Sequence, residues 1–336
     1  MFDIFEIDIL YDVSAGCQRR CDDCVISMSS PMVNTQTEQF SNLLDQASEH
    51  FLLGNCWLGP TDIFASNQLV TYTDPEVVAI AQKFKAVILS TSLLGRDSEI
   101  EYHAKQVAEH YKDIAIKLAI PVNLRLVDNA KYREHIWSRI RLFESALGRP
   151  LGTETRKVYF IGNLPTEDDD IDPDIFKKFT DTWGVQLDIA IGNGRQGVEQ
   201  LMTVFDKSKN FFTNRINRTN NFPASLLQEG RGIDLLFRNG EVYLLPFYNE
   251  RIAVLDDQFR MFKYRPWTVE NLVKDINDLM IASLEASKQL TECRDCMYNS
   301  RCSLFLLPLI QRRLNLDTCV QPKELLGLNG THHQAH

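Results

Sequence analysis

The chain is 336 residues long, 44% hydrophobic and 24% charged, enough for a soluble protein with one large barrel or two domains. A formal net charge of -9 excludes a broad basic face for nucleic acid or an anionic membrane. No segment approaches the roughly 18–20 consecutive apolar residues of a spanning helix, and the apolar patch at 304–310 is broken by Pro308. The start, Met1-Phe2-Asp3, carries acid where a secretory signal carries base, so a cytoplasmic protein is expected.

Residues 3–13 alternate and are rich in β-formers, which predicts a strand that runs into a polar loop holding the first cysteines. Within 35–51, Phe40, Leu43, Leu44 and Ala47 recur at helical spacing. A strand at 52–58 ends at Gly59-Pro60. Helices at 75–83, 97–112, 130–147 and 173–183 then alternate with strands at 85–93, 114–124, 157–164 and 185–192. Six strands separated by helices imply an α/β fold: a parallel sheet with right-handed crossovers, open or curled into a barrel. The acidic run Glu167 to Asp170 reads as a solvated turn.

After about residue 225 the pattern changes. Residues 232–247 form two apolar runs around Asn239-Gly240, a pair that accepts the positive φ of a type I′ hairpin turn. A helix at 268–289 and a cysteine-rich stretch at 293–319 follow. The last residues, from Asn329, lack periodicity and read as a flexible tail, on which His332, His333 and His336 are inert.

In a reducing compartment, grouped cysteines bind metal or do chemistry more often than they form disulfides. Seven of the eight cysteines here fall into two groups. Cys17, Cys21 and Cys24 give C-x3-C-x2-C in the loop after the first strand. Three thiolates on one tight loop can hold three irons of a [4Fe–4S] cube and leave the fourth open to an outside ligand. A zinc ion would want a fourth protein ligand, and no histidine lies nearby. The second group is Cys293-x2-Cys296-x5-Cys302 with Cys319 further on. Four thiolates suit either an iron–sulfur cluster or zinc, and these residues alone leave both open. Asp188 and Asp234 are acid–base candidates only in that they lie on predicted strands.

The first motif, placed after the first strand, resembles the signature of the radical S-adenosylmethionine superfamily. The resemblance covers residues 1–200 and implies a partial (β/α)6 TIM-like barrel. It also implies that S-adenosylmethionine chelates the open iron and is cleaved reductively to a 5′-deoxyadenosyl radical that abstracts hydrogen from substrate. Two stretches depart from the family pattern. Asp23 stands where the family has an aromatic residue near the adenine, and Gly59-Pro60-Thr61-Asp62 stands in place of a Gly-Gly-Glu-Pro run that meets the cofactor's amino group. The strand-six exit, Gly192 to Arg195, resembles a Gly-Arg stretch of relatives with a cysteine-rich C-terminus. The cofactor-binding residues implied are thus Asp23, Gly59, Pro60, Thr61, Asp62, Gly192 and Arg195. Cys56, alone on the second strand, reads as a buried free cysteine or, in a radical enzyme, as a hydrogen-atom donor.

The second cysteine group and the hairpin before it are similar to the auxiliary-cluster segment of the SPASM and twitch subgroup, over residues 230–320. Leu306 and Leu244-Leu245-Pro246 occupy positions where a second auxiliary cluster would need cysteines. One auxiliary [4Fe–4S] cluster on Cys293, Cys296, Cys302 and Cys319 is therefore implied, two clusters per chain in all. A fully ligated cluster suits electron transfer. The implied division is a barrel at 1–225, a small α+β cysteine-rich domain at 226–325 and a tail at 326–336. The resemblance implies modification of a ribosomal peptide or protein by cross-linking, epimerisation or side-chain oxidation, with a flavodoxin- or ferredoxin-type electron donor. No separate leader-binding domain is expected before residue 3. The alternatives are a radical dehydrogenase or mutase of a small metabolite, and a non-catalytic iron–sulfur or zinc protein.

Overall fold

Alternating strand and helix patterns become a sheet only when each strand's apolar residues find a common face. In the structure, a computed structural model that describes residues 6–13, 35–59, 61–64, 71–152, 157–163, 175–185, 187–190, 232–245 and 259–290, they do. The six predicted strands form as β1 (Glu6–Asp12), β2 (Leu52–Gly59), β3 (Ala86–Ser90), β4 (Ala115–Val122), β5 (Val158–Asn163) and β6 (Leu187–Ala190). Between them run α1 (Thr37–Ser48), α2 (Pro75–Ala81), α3 (Asp97–His110), α4 (Ala130–Leu147) and α5 (Ile175–Trp183). The hairpin strands are β7 (Gly232–Arg238) and β8 (Glu241–Leu245), and α6 spans Val269–Gln289.

All eight strands belong to one sheet, in the order β6-β5-β4-β3-β2-β1-β7-β8, parallel throughout except for the antiparallel β7–β8 pair. Ile7, Ile9 and Tyr11 of β1, Val87 and Leu89 of β3, Ile116 and Leu118 of β4 and Phe160 of β5 share one core with Phe40, Leu44, Ile80, Val107, Phe143 and Phe179 from the helices. The alternate strand residues stay out of it: Ile88, Ala119 and Tyr159 cluster with Trp57 and Ile161, and Leu236 and Tyr243 with Leu10. The described helices therefore cover one face of the sheet. A doubly wound sheet is covered on both faces, whereas a barrel segment keeps its helices outside and its other face inward. Consecutive order from β1 to β6 with one helical face is the topology of the predicted partial barrel.

The strands stop where side chains capture the backbone. β3, predicted to run to 93, ends at Ser90 because the Leu93 N–H turns to the Thr91 hydroxyl and the Ser92 N–H to Asp62. β4 ends at Val122, where the Asn123 side chain accepts from the Arg125 N–H and starts a short 3-10 turn. α4 begins on Asn129, whose side chain accepts from two backbone N–H groups, and ends on Gly148 at φ 73.

The hairpin was expected to open a separate cysteine-rich domain. Its strands extend the sheet, with β7 running parallel along β1 and Asp8 opposite Asp234, and the cysteine-rich stretch expected to follow lies outside the described residues. Phe237 of β7 stacks on Phe40 of α1 at 4.1 Å, so the hairpin's apolar parity is satisfied by the barrel's own core. Asn239 and Gly240 take φ 54 and 72, the positive values read from the sequence. Leu272, Ile276 and Met280 carry α6 into the same core. Among the described residues no helix is long and apolar enough to cross a membrane.

Candidate functional site

In barrels of this kind chemistry sits at the carboxyl ends of the parallel strands. Residues 14–34, which connect the end of β1 to α1 and carry Cys17, Cys21, Asp23 and Cys24, lie outside the described residues. So do Pro60, Gly192, Arg195, Cys293, Cys296, Cys302 and Cys319. Of the predicted cofactor residues the structure describes Gly59, Thr61 and Asp62, and it brings them together at the end of β2, beside β1 and β3.

The Val13 N–H donates to the Gly59 carbonyl at 3.1 Å, which ties the chain leading into the cysteine loop to this turn. A Cβ on Gly59 would fall on Ser90 Oγ, which accepts the Trp57 indole N–H at 2.5 Å. Only a glycine leaves room there. Beyond Pro60 the chain folds back on β3 through the Ile63 N–H to the Ser90 carbonyl, 2.9 Å. Asp62 Oδ2 accepts from the Ser92 N–H at 2.9 Å and from the Ser92 hydroxyl, and Oδ1 accepts from the Phe64 N–H at 3.1 Å. Thr61 is buried, and its hydroxyl has no hydrogen-bond partner among the described residues. A buried hydroxyl left unpaired costs about 1–3 kcal/mol.

Sequence reasoning missed the ion pair beside this turn. Asp12, the last residue of β1, is buried and lies 3.3 Å from the Arg238 guanidinium of β7. An Asp closing the first strand was a usable signal, but nothing in the sequence linked it to Arg238 across more than two hundred residues.

Lower on the inner face sits an acidic group. Gly54 and Asn55 stand where β2 irregularly pairs with β1, and Asn55 donates to Asp8 twice, from its backbone N–H at 2.6 Å and its amide at 2.9 Å. Lys117 Nζ donates to the Asn55 side-chain Oδ1 at 3.0 Å. Burial pushes the Asp8 carboxyl up to about 6, with the Glu6 charge adding to it and the Asn55 bonds and Lys117 opposing. Burial, then the charges of Asp8 and Glu6, drive Asp234 well above the usual carboxylate range. Asp188 occupies the register position opposite Ile161 on β5, apart from this group.

Cys56 lies on the other parity of β2, between Ile9 and Val87 in register, fully buried in the helix-facing core. Burial pushes its thiol up, and the Asp8 charge adds to this. These surroundings match the buried free cysteine of the two readings. Outside the turn, His103 of α3 stacks on Phe64 at 4.5 Å and its Nδ1 lies 2.8 Å from the Tyr72 hydroxyl. Burial lowers the pKa of that imidazole, against the pull of Asp62 and Glu99.

The turn after β2 therefore offers a glycine without room for a side chain, a buried hydroxyl unpaired among the described residues and a hydrogen-bonded support. Those features fit a polar cofactor seated at the strand ends, and the three thiolates that follow β1 in sequence are by chemistry a donor set for an iron–sulfur cube.

No protein-family model matches the chain, and no curated protein matches it. Solved structures do. That of native anSMEcpe with bound AdoMet and Cp18Cys peptide covers 88% of this chain and 88% of its own, with TM-score 0.51 and 12% identity. Streptococcus suis SuiB is also similar: bound to S-adenosylmethionine it covers 89% of this chain and 72% of its own, with TM-score 0.42 and 9% identity. Bound to the precursor peptide SuiA, SuiB covers 71% of this chain and 59% of its own, with TM-score 0.37 and 10% identity. At 12% identity the likeness to anSMEcpe is one of fold.

Proposed function

We propose that this chain is a radical S-adenosylmethionine enzyme that modifies a peptide or protein. The observation that carries the reading is the C-x3-C-x2-C spacing of Cys17, Cys21 and Cys24, set directly after β1 of a parallel sheet with one helical face. A [4Fe–4S] cluster held by those thiolates would supply the electron for reductive cleavage of S-adenosylmethionine, and with it the hydrogen-abstracting radical. The chain's own part is to hold and to shield. Cys17, Cys21 and Cys24 bind three irons and leave one open. Gly59 and Thr61 border the cofactor at the end of β2, the first by leaving space and the second by offering its unpaired hydroxyl. Asp23, Pro60, Gly192 and Arg195 complete the proposed cofactor contacts. Cys293, Cys296, Cys302 and Cys319 hold one auxiliary cluster with no open iron, suited to passing electrons onward. A peptide substrate is favoured because anSMEcpe, whose fold this chain shares over most of both lengths, was solved with a peptide beside AdoMet.

Anaerobic reconstitution tests the reading. The full chain should take up about eight irons and eight sulfides, and under a strong reductant it should release 5′-deoxyadenosine from S-adenosylmethionine. Cys17→Ala with Cys21→Ala and Cys24→Ala should halve the iron and abolish release. Zinc in the first group, or a wild-type spectrum that S-adenosylmethionine leaves unchanged, defeats the proposal. Release that no peptide alters removes the peptide half of it.

A further inference from the structure

Asp62 is used up inside the protein. Its Oδ2 takes the Ser92 N–H at 2.9 Å and the Ser92 hydroxyl, its Oδ1 takes the Phe64 N–H at 3.1 Å, and both residues are buried. The Ile63 N–H adds a second tie to β3 through the Ser90 carbonyl, 2.9 Å. The loop after β3 is anchored in turn: the Leu93 N–H donates to the Thr91 hydroxyl at 3.0 Å, and the Thr91 N–H donates to the Ala119 carbonyl of β4 at 3.0 Å. On the other side the Val13 N–H reaches the Gly59 carbonyl. The ends of β1, β2, β3 and β4 are thus linked in series, and Asp62 bridges the loops after β2 and β3 through Oδ2 while Oδ1 closes its own turn on Phe64. Thr61, the neighbouring residue, keeps a buried hydroxyl without a partner among the described residues.

A carboxylate that already accepts from two backbone N–H groups and a hydroxyl has little left for an ammonium group. The residue expected from the sequence to touch the cofactor is engaged elsewhere. We propose that Asp62 and Ser92 are positioning residues: their clamp fixes the turn after β2 so that Thr61 and the Gly59 backbone meet S-adenosylmethionine, an inference that rests on the radical-enzyme reading above. Phe64, stacked on His103, braces the far end of the same turn.

The test uses the reconstituted full chain and three variants, Asp62→Ala, Ser92→Ala and Ser92→Thr. S-adenosylmethionine affinity is measured by equilibrium dialysis, alongside the change that the cofactor causes in the electron paramagnetic resonance spectrum of the reduced cluster, and iron content is determined for each protein. Asp62→Ala and Ser92→Ala should weaken binding by about tenfold, the effect of about one buried hydrogen bond, with iron retained and saturated turnover changed far less than KM. Ser92→Thr, which keeps the hydroxyl, should recover most of the affinity. Variants that bind as tightly as wild type overturn the clamp. So does a loss of iron that tracks the loss of affinity, because the clamp then supports the cysteine loop rather than the cofactor turn. A wild-type spectrum indifferent to S-adenosylmethionine instead fells the radical-enzyme reading, so the two failures are told apart by the unmutated protein.

Discussion

Asp8 and Asp234 face each other across the β1–β7 ladder, and both resist ionisation, first because they are buried. A carboxyl whose folded pKa is raised keeps its proton in the folded chain after the unfolded chain has lost it. Its contribution to stability is therefore whole below the ordinary value near 3.8 and declines as pH rises, for Asp8 until about 6 and for Asp234 further. Asp234→Asn removes one such group without changing its shape. The variant and wild type should be about equally stable near pH 3, and by pH 7 the variant should be more stable by about 1–3 kcal/mol. Urea denaturation at the two pH values measures this, and an equal gap at both pH values contradicts the reading.

At the scale of elements, the β7–β8 turn shows how a two-residue signal is made strict by its neighbours. Gly240 sits at φ 72, and a Cβ there would meet Thr35 Oγ1 and come within 3.0 Å of the Thr35 carbonyl oxygen. Thr35 precedes α1, so the turn is pinned between the hairpin and the start of a barrel helix. Gly240→Ala meets both the left-handed backbone and a backbone atom that cannot swing away. It should cost more than Gly148→Ala, whose added Cβ meets nothing within 4 Å and which pays only the αL penalty of about 1–2 kcal/mol. Thermal melts of the two variants compare them directly.

At the scale of the molecule, the Arg238–Asp12 pair joins the hairpin to the strand that feeds the first cysteine group. Removing one partner of a buried pair leaves a charge without that compensation, typically a loss of about 3–5 kcal/mol. Arg238→Ala should lower stability by about that amount, and reconstituted Arg238→Ala should carry less iron per chain. Arg238→Lys should recover part of the stability but not all, since it keeps the charge and loses the planar fork. Full stability in Arg238→Ala would show that the pair does not join the two regions energetically.

Much of this was legible in the residues. Period-two and period-3.6 patterns named β1 to β6 and α1 to α5 because each element buries a single face, and that face is written locally. Asn239-Gly240 announced its turn because only a few residue types accept positive φ. The cysteine spacings carry an expectation of metal chemistry, on residues that lie outside the described ones. What the chain could not state alone was partnership between distant segments. That β7 lies along β1, that Arg238 meets Asp12, that Asp8 meets Asp234, and that Asp62 is engaged by Ser92 rather than left open all depend on which strand edges and loops come together. Local patterns fix how a segment folds. Its neighbours, and with them the use to which each polar side chain is put, are settled only when the common core is packed.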